Sequence, residues 1–353
     1  MNTISQRIEG VVKLGRFLSQ FTTAGIEKKE HIEHNDLFFE PFRKNIILAE
    51  QNNGWFTKDN ILYTLTHWSA VLKHKTIASW LGSYSLRETE PKKVALIMAG
   101  NIPLVGFHDF LSVLLTGHSV TVKLSSKDNA LLPILAQYLM HTTPSLNGTI
   151  AFTEGQLSHF DAAIATGSNN TMRYFEYYFG KKPNIIRKNR NSVAVLNGKE
   201  TNEQLEVLGH DIFTYYGLGC RNVSKLFVPE GYDFNLFFNA IYPYHPIINH
   251  KKYANNYDYN KAIYLMSLFN ILENGFVMLK EDKGYASPIA TVFYEYYTDT
   301  NTLKTTLDAD KDSIQCIVAD GFSESEIPFG KTQQPRLWDY ADGIDTMDFL
   351  LHL

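Results

Sequence analysis

Two short apolar runs constrain the fold of this chain more than any other feature. Residues 94–98 read VALIM and residues 119–124 read SVTVKL; short apolar runs of this kind are what strands buried inside a sheet require. Between them, residues 104–115 are long enough for a helix, so the three segments make a strand, a crossover helix and a parallel strand. The alternation continues: a helix over 131–140, strands at 148–152 and 161–165, a helix over 170–179 and a strand at 192–196. That pattern is doubly wound α/β, whose ligands lie beyond the carboxyl ends of the strands.

Residues before Lys92 read as helical. Ile4, Ile8, Val11, Val12 and Leu18 share one face, and Thr57 can cap a second helix that carries Ile61, Leu65, Trp68 and Leu72 and ends near Gly82. His31 and His34 form an HxxH pair, but Lys28, Lys29, Glu30 and Glu33 surround it, so it reads as a solvated charged face rather than a metal site. Beyond Gly198 the texture shifts to a second α/β region. Helices are expected over 204–216, 234–240 and 259–274, with strands at 225–228, 289–297 and 314–318. The expected division is a helical region 1–92 packed on a dinucleotide-binding domain 93–197, then a catalytic-thiol domain 198–322 and a C-terminal segment 323–353.

Composition narrows the function classes. With 353 residues and 44% apolar side chains the chain fills about two cores. Its 33 Lys and Arg against 37 Asp and Glu are spread along the chain, which argues against nucleic acid as a partner. Two cysteines, Cys220 and Cys316, give neither a disulfide framework nor a paired zinc motif, so no metal is expected. No run approaches the ~18 apolar residues of a membrane span, and the first residues lack the plan of a signal peptide; a cytoplasmic location is expected. Aromatic clusters at 175–179 (FEYYF) and 293–297 (FYEYY) suit interior strand and helix faces, or the lining of an apolar pocket.

Four motifs carry chemistry. In GLGCRNVSKLFVP (217–229) a cysteine stands among glycines on a turn before a strand, with Arg221 and Lys225 near in sequence to favour its thiolate. Alone, this fits a buried small side chain equally well. AGNIPL (99–104) follows the first strand, where the Asn101 amide can donate to a carbonyl oxygen that becomes an oxyanion. TVKLSSK (121–127) ends the next strand with Lys123, suited to a ribose hydroxyl or a phosphate. ATGSNNTMRYF (165–175) runs from a strand through Gly167 and Ser168 into a helix whose first amides can bind a pyrophosphate. Each has a structural explanation too, as a turn or a helix cap.

The order of these motifs resembles the aldehyde dehydrogenase superfamily, over residues 94–229. IMAGNIPLVGFHDFLSVLLTGHSVTVKLSS (97–126) is similar to its stretch from oxyanion asparagine to cofactor lysine, placing Asn101 and Lys123 in those roles. Gly167 and Ser168 resemble its Gly-Ser cofactor contact, and Cys220 its catalytic cysteine, with Lys225 and Val228 matching the basic and apolar positions that follow. Aldehyde oxidisers carry a Glu-Leu-Gly-Gly-Lys motif whose glutamate activates the deacylating water. Here the corresponding stretch is Val195-Leu196-Asn197-Gly198-Lys199, a departure that favours reduction of a thioester over its hydrolysis. Ser126, followed by Lys127, stands where NAD-preferring relatives place a ribose-binding glutamate, which favours NADPH over NADH.

Within the superfamily the chain resembles the acyl-CoA reductases that include the long-chain fatty-acyl reductase of bacterial luminescence. ATGS with RKNRNSVAVLNG (165–198), DIFTYYGLGCRNVSKLFVP (211–229) and IPFGKTQQPRLWDYADGIDTMDFL (327–350) carry that likeness. The last stretch resembles the Pro-Phe-Gly segment that closes the superfamily's catalytic site, without the long extension that usually follows. The resemblance implies an aldehyde-dehydrogenase-like fold and NADPH-dependent reduction of a fatty acyl thioester through Cys220, with His210 as a possible proton-transfer group or a structural helix-end residue. Expected partners are acyl-CoA or an acyl-carrier thioester, an acyl-donating enzyme and further copies of the chain. Two alternatives stay open: an acyl-phosphate reductase of the glutamyl-phosphate type, and a non-reducing acyl-transfer or acyl-binding subunit. Cys316, in the run SIQCIVA, is expected to be a packed strand residue.

Overall fold

The computed structural model describes residues 3–86, 90–167 and 169–353. The chain forms two compact units, one of residues 1–188 and 336–353 and the other of residues 189–335.

In the first unit, α1 (Ile4–Leu18) is followed by a small hairpin, β1 (Phe21–Thr22) and β2 (Gly25–Ile26), and by α2 (Asn35–Asn52), α3 (Lys58–Val71) and α4 (His74–Leu81). Thr57 caps α3 by accepting from the Asn60 amide. The helix expected to run on to Gly82 breaks at Leu72, whose backbone (φ −81, ψ 51) is not helical. Val11, Val12, Leu14, Phe17 and Leu18 of α1 are buried, and Arg7 donates to the Leu115 carbonyl at 3.2 Å, which fixes α1 on the α/β layer.

That layer holds β3 (Lys93–Ile97), α5 (Phe107–Thr116), β4 (Ser119–Lys123), α6 (Leu131–Thr142), β5 (Ile150–Phe152), β6 (Ala162–Thr166), α7 (Asn169–Phe179) and β7 (Asn184–Arg187). The strands are parallel in the order β5-β4-β3-β6-β7. The order reverses between β3 and β6, so the loops after these two strands flank the switch point where such sheets bind ligands.

In the second unit β8 (Asn191–Val195), α8 (Asn202–Phe213), β9 (Val223–Pro229), α9 (Phe234–Ala240), α10 (Lys251–Met266), β10 (Ile271–Glu273), β11 (Met278–Glu281), β12 (Thr291–Tyr297), α11 (Thr300–Ala309) and β13 (Ile314–Val318) build a sheet in the order β10-β11-β12-β9-β8-β13. All neighbours are parallel except the edge pair β10–β11. One face of the sheet buries Leu205, Leu208, Leu226 and Phe237; the other buries Val193, Val195, Phe227 and Leu307.

The expected division is corrected at two places. Strand 191–195 pairs with β9 and β13, so the compact units part at Lys188 rather than at 197. The C-terminal segment is itself split at Pro335, because the final helix α12 (Thr346–Leu351) belongs to the first unit. There Arg187 pairs with Asp109 at 2.6 Å and donates to Thr346 Oγ1 and the Ala341 carbonyl. Among the described residues no helix is long and apolar enough to cross a membrane.

Candidate functional site

Cys220 is half-buried on the turn between α8 and β9. The expected helix over 204–216 stops at Phe213, and the backbone turns left-handed at Tyr215 (φ 55), Tyr216 (φ 58) and Gly217 (φ 76). Left-handed conformations at two successive tyrosines cost energy that the surrounding contacts must supply.

Asn222 supplies several of them. Its Oδ1 accepts from the Gly219 amide at 2.8 Å, and its Nδ2 donates to the carbonyls of Asp211 (3.0 Å) and Thr214 (2.8 Å). The Asn222 amide closes the turn onto the Gly219 carbonyl, and Ser192 Oγ donates to the Cys220 carbonyl at 3.0 Å. The main chain on both sides of the thiol is therefore held by buried polar groups, which is what a positioned nucleophile needs. A cavity borders Gly217 and Gly219, walled in part by Ile212, Phe213, Tyr216 and Tyr253.

The two cations expected beside the thiol have other partners. Lys225, 1% exposed, pairs with Glu295 at 2.7 Å, donates to the Lys283 carbonyl and lies over the rings of Phe227 and Tyr285. Its charge is balanced within the sheet. Arg221 Nε donates to the Thr332 carbonyl at 2.6 Å.

That bond reaches the Pro-Phe-Gly loop, which Asp211 anchors from α8. Its carboxylate accepts from the amides of Gly330 (2.6 Å) and Thr332 (2.9 Å) and from Thr332 Oγ1 (2.8 Å). Burial pushes the Asp211 carboxyl above its ordinary range, and these donors partly counter it. Asp211 was not legible in the sequence, since its partners lie far along the chain. His210, next to it, is exposed on the last turn of α8 with its ring edge-on to Tyr244 at 5.4 Å, a helix-end packing role. Val195 is buried in β8 opposite Phe227, so the position matched to the deacylating glutamate is part of an apolar core. Cys316 is 6% exposed in β13, a packed strand residue.

In the first unit the structure brings three expected residues to the carboxyl ends of the neighbouring strands β4, β3 and β6. Asn101 is exposed on the loop after β3. Lys123 ends β4, and its ammonium donates to the Gly155 carbonyl at 3.0 Å. Ser126 and Lys127 follow it, both exposed. At Gly167, after β6, an added Cβ would lie 2.4 Å from Thr171 Oγ1 and 2.8 Å from the Phe175 ring; α7 approaches the strand too closely for any side chain, as a backbone cradle for a pyrophosphate requires. Ser168 lies outside the described residues. His31 is exposed, and His34 packs edge-on to His141 at 4.4 Å; among the described residues no cluster of His, Cys, Asp or Glu could hold a metal ion. Of the aromatic clusters, Phe293 and Tyr294 are strand residues in the core, and Tyr177 and Tyr178 are exposed on α7.

A unit built on a doubly wound sheet with a glycine at its switch point, and a second α/β unit carrying a cysteine on a clamped turn, define the aldehyde-dehydrogenase-like class. Solved structures agree on the fold. A mutant of P. syringae AldA indole-3-acetaldehyde dehydrogenase, in complex with NAD+ and IAA, matches with a TM-score of 0.63 at 12% identity, over 90% of this chain and 72% of that one. Aldehyde dehydrogenase KauB from Pseudomonas aeruginosa gives 0.62 at 12%, over 90% and 71%. Aldehyde dehydrogenase 21 from Physcomitrella patens, in complex with succinate, gives 0.60 at 13%, over 90% and 73%. No curated protein matches the chain. The profile of the acyl-CoA reductase (LuxC) family matches residues 29–236, and the chain belongs to that family of oxidoreductases.

Proposed function

We propose that this chain reduces a fatty acyl thioester to the aldehyde through an acyl-enzyme on Cys220. The observation that carries the reading is the clamped Cys220 turn combined with a buried valine, Val195, where a hydrolytic relative needs its glutamate. A thioester formed on Cys220 then has no carboxylate at that position to activate water, and it persists for reduction.

In the proposed reaction the Cys220 thiolate attacks the thioester carbonyl. The Sγ–C bond forms, the bond to the CoA sulfur breaks and CoA thiolate leaves. Asn101 donates from its side-chain amide to the carbonyl oxygen while charge develops there. Bound NADPH supplies the hydride that reduces the acyl group. The resulting hemithioacetal oxyanion collapses as its C=O bond re-forms and the C–Sγ bond breaks, so the aldehyde leaves and the Cys220 thiolate is regenerated, while the one proton of the overall reaction goes to the departed CoA thiolate.

The first unit fits a nicotinamide dinucleotide on its own residues. Gly167 has no Cβ and packs its main chain close against Thr171 and Phe175 of α7, a strand-to-helix turn where backbone amides would hold a pyrophosphate in this reading, and the Lys123 ammonium stands at the end of β4. Ser126 and Lys127, exposed on the next turn, accept a 2′-phosphate where a carboxylate would repel it, which favours NADPH. Acyl-CoA or an acyl-carrier thioester is the donor in this reading, delivered by a partner enzyme to an oligomer of this chain in the cytoplasm.

Following NADPH absorbance with purified protein tests the reading. Acyl-CoAs of medium and long chain should drive oxidation of NADPH. Oxidation with acyl phosphates alone would favour an acyl-phosphate reductase, and acyl exchange without oxidation a transfer subunit.

A further inference from the structure

Asp128 stands on the loop after β4 and is buried, 8% exposed. Its Oδ2 accepts from the Leu104 amide at 2.8 Å, and its Oδ1 has no hydrogen-bond partner among the described residues. Burial pushes its carboxyl up to about 7, and the Leu104 amide is the group that counters the shift. A carboxylate buried without a cation destabilises the fold that holds it.

What it holds is unusual. Leu104 is 4% exposed and left-handed, with φ 56, a conformation that a side chain with a Cβ adopts only under constraint. It lies in the loop between β3 and α5, three residues after Asn101. The same loop is gripped at its other end: Asn53 Nδ2 donates to the carbonyls of Gly100 (3.4 Å) and Lys127 (3.3 Å). A Cβ on Gly100 would lie 2.6 Å from Ser125 Oγ, so the loops after β3 and β4 are in close contact there. A carboxyl oxygen accepts from the Leu104 amide whether the group is ionised or protonated, so the bond at this strained backbone does not depend on the charge.

We infer that Asp128 is a positioning residue, whose bond to the Leu104 amide sets the conformation of residues 99–104 and so the direction in which Asn101 presents its amide. The inference rests on the reading of Asn101 as the donor to the thioester oxygen.

The test compares the full-length wild type with Asp128→Ala and Asp128→Asn. Single-turnover acylation of Cys220 by decanoyl-CoA is followed by quenching and intact mass, NADPH binding by fluorescence, and peptides covering 99–106 by hydrogen–deuterium exchange. Asp128→Ala is expected to slow acylation at saturating decanoyl-CoA about 10- to 100-fold. Its half-saturating decanoyl-CoA concentration and its Kd for NADPH should change by less than about threefold. Asp128→Asn, whose amide oxygen still accepts from the Leu104 amide, should recover most of the rate. Acylation in Asp128→Ala at the wild-type rate overturns the inference. So does a loss of NADPH binding along with the rate that asparagine does not rescue, because that marks a loop that has merely unfolded. Exchange keeps the two readings apart. Faster exchange at 99–106 in Asp128→Ala, with a wild type that takes no acyl group, upholds the anchoring and overturns the acyl-enzyme reading; unchanged exchange overturns the anchoring.

Discussion

Arg221, the residue after Cys220, donates from Nε to the main-chain oxygen of Thr332 at 2.6 Å, while Asp211 grips the same loop from its far side through the amides of Gly330 and Thr332. The turn that carries the thiol and the Pro-Phe-Gly loop are thus one hydrogen-bonded assembly within the second unit.

Removing its buried carboxylate should be expensive. Asp211→Ala leaves three donors without their acceptor in a site that is 0% exposed, and is expected to lower stability by about 2–4 kcal/mol in urea unfolding. Amide exchange at Gly330 and Thr332 should quicken; protection equal to wild type would show that the loop is held by something else.

Asp109 and Arg187 anchor the C-terminal segment through an ion pair with side chains 7% and 5% exposed. Burial raises the Asp109 carboxyl, but the Arg187 guanidinium outweighs it, and the result is below the ordinary carboxylate range. A depressed carboxyl contributes stability that is fully present above its unfolded value, about 4, and declines as pH falls from there through the lower folded value. Asp109→Ala is expected to cost about 3–5 kcal/mol at pH 7 and less near pH 3, where the wild type has begun to lose the contribution. Urea titrations at the two pH values check it, and an equal cost at both would contradict the assignment.

Asp128 has the opposite sign. Its carboxyl is raised to about 7, so between roughly pH 4 and 7 the folded protein keeps a proton that the unfolded chain has released, and stability declines as pH rises through that window. Asp128→Asn removes this dependence. Its melting temperature should therefore gain on that of the wild type between pH 5 and pH 8, and parallel curves would show that the carboxyl is not raised.

Gly167→Ala tests the cofactor cradle. The new methyl would overlap Thr171 Oγ1 and the Phe175 ring, so α7 must shift, and NADPH binding by fluorescence is expected to weaken at least tenfold with the second unit unaffected. Unchanged affinity would move the cofactor away from the end of β6.

Much of this architecture was legible in the sequence because buried parallel strands are apolar runs: VALIM became β3 and SVTVKL became β4. The short strand β7, with Asn184 and Arg187 at its ends, lacked that signal. Residues 259–274 read as one helix, but Leu268 turns left-handed (φ 58) and the chain continues into the edge strand β10, a break that no glycine or proline marks. Likewise Tyr215 and Tyr216 end α8 with conformations that tyrosine seldom adopts. The candidate residues Asn101, Lys123, Gly167 and Cys220 could be singled out because they follow strands or precede one in a fixed order. Asp211, Asn222 and Asp128 were not, since their roles exist only once distant segments meet, as Asp211 meets Thr332 across 121 positions. Lys225 was misread for the same reason: its partner, Glu295, sits on another strand.

The most direct test of the acyl-enzyme is intact-mass analysis after the protein is incubated with decanoyl-CoA in the absence of NADPH. The account predicts one decanoyl adduct on the wild type, located to Cys220 by peptide mapping, absent from Cys220→Ser and discharged as decanal when NADPH is added. An adduct that persists in Cys220→Ser, or a wild type that stays unmodified while it still oxidises NADPH, would contradict it.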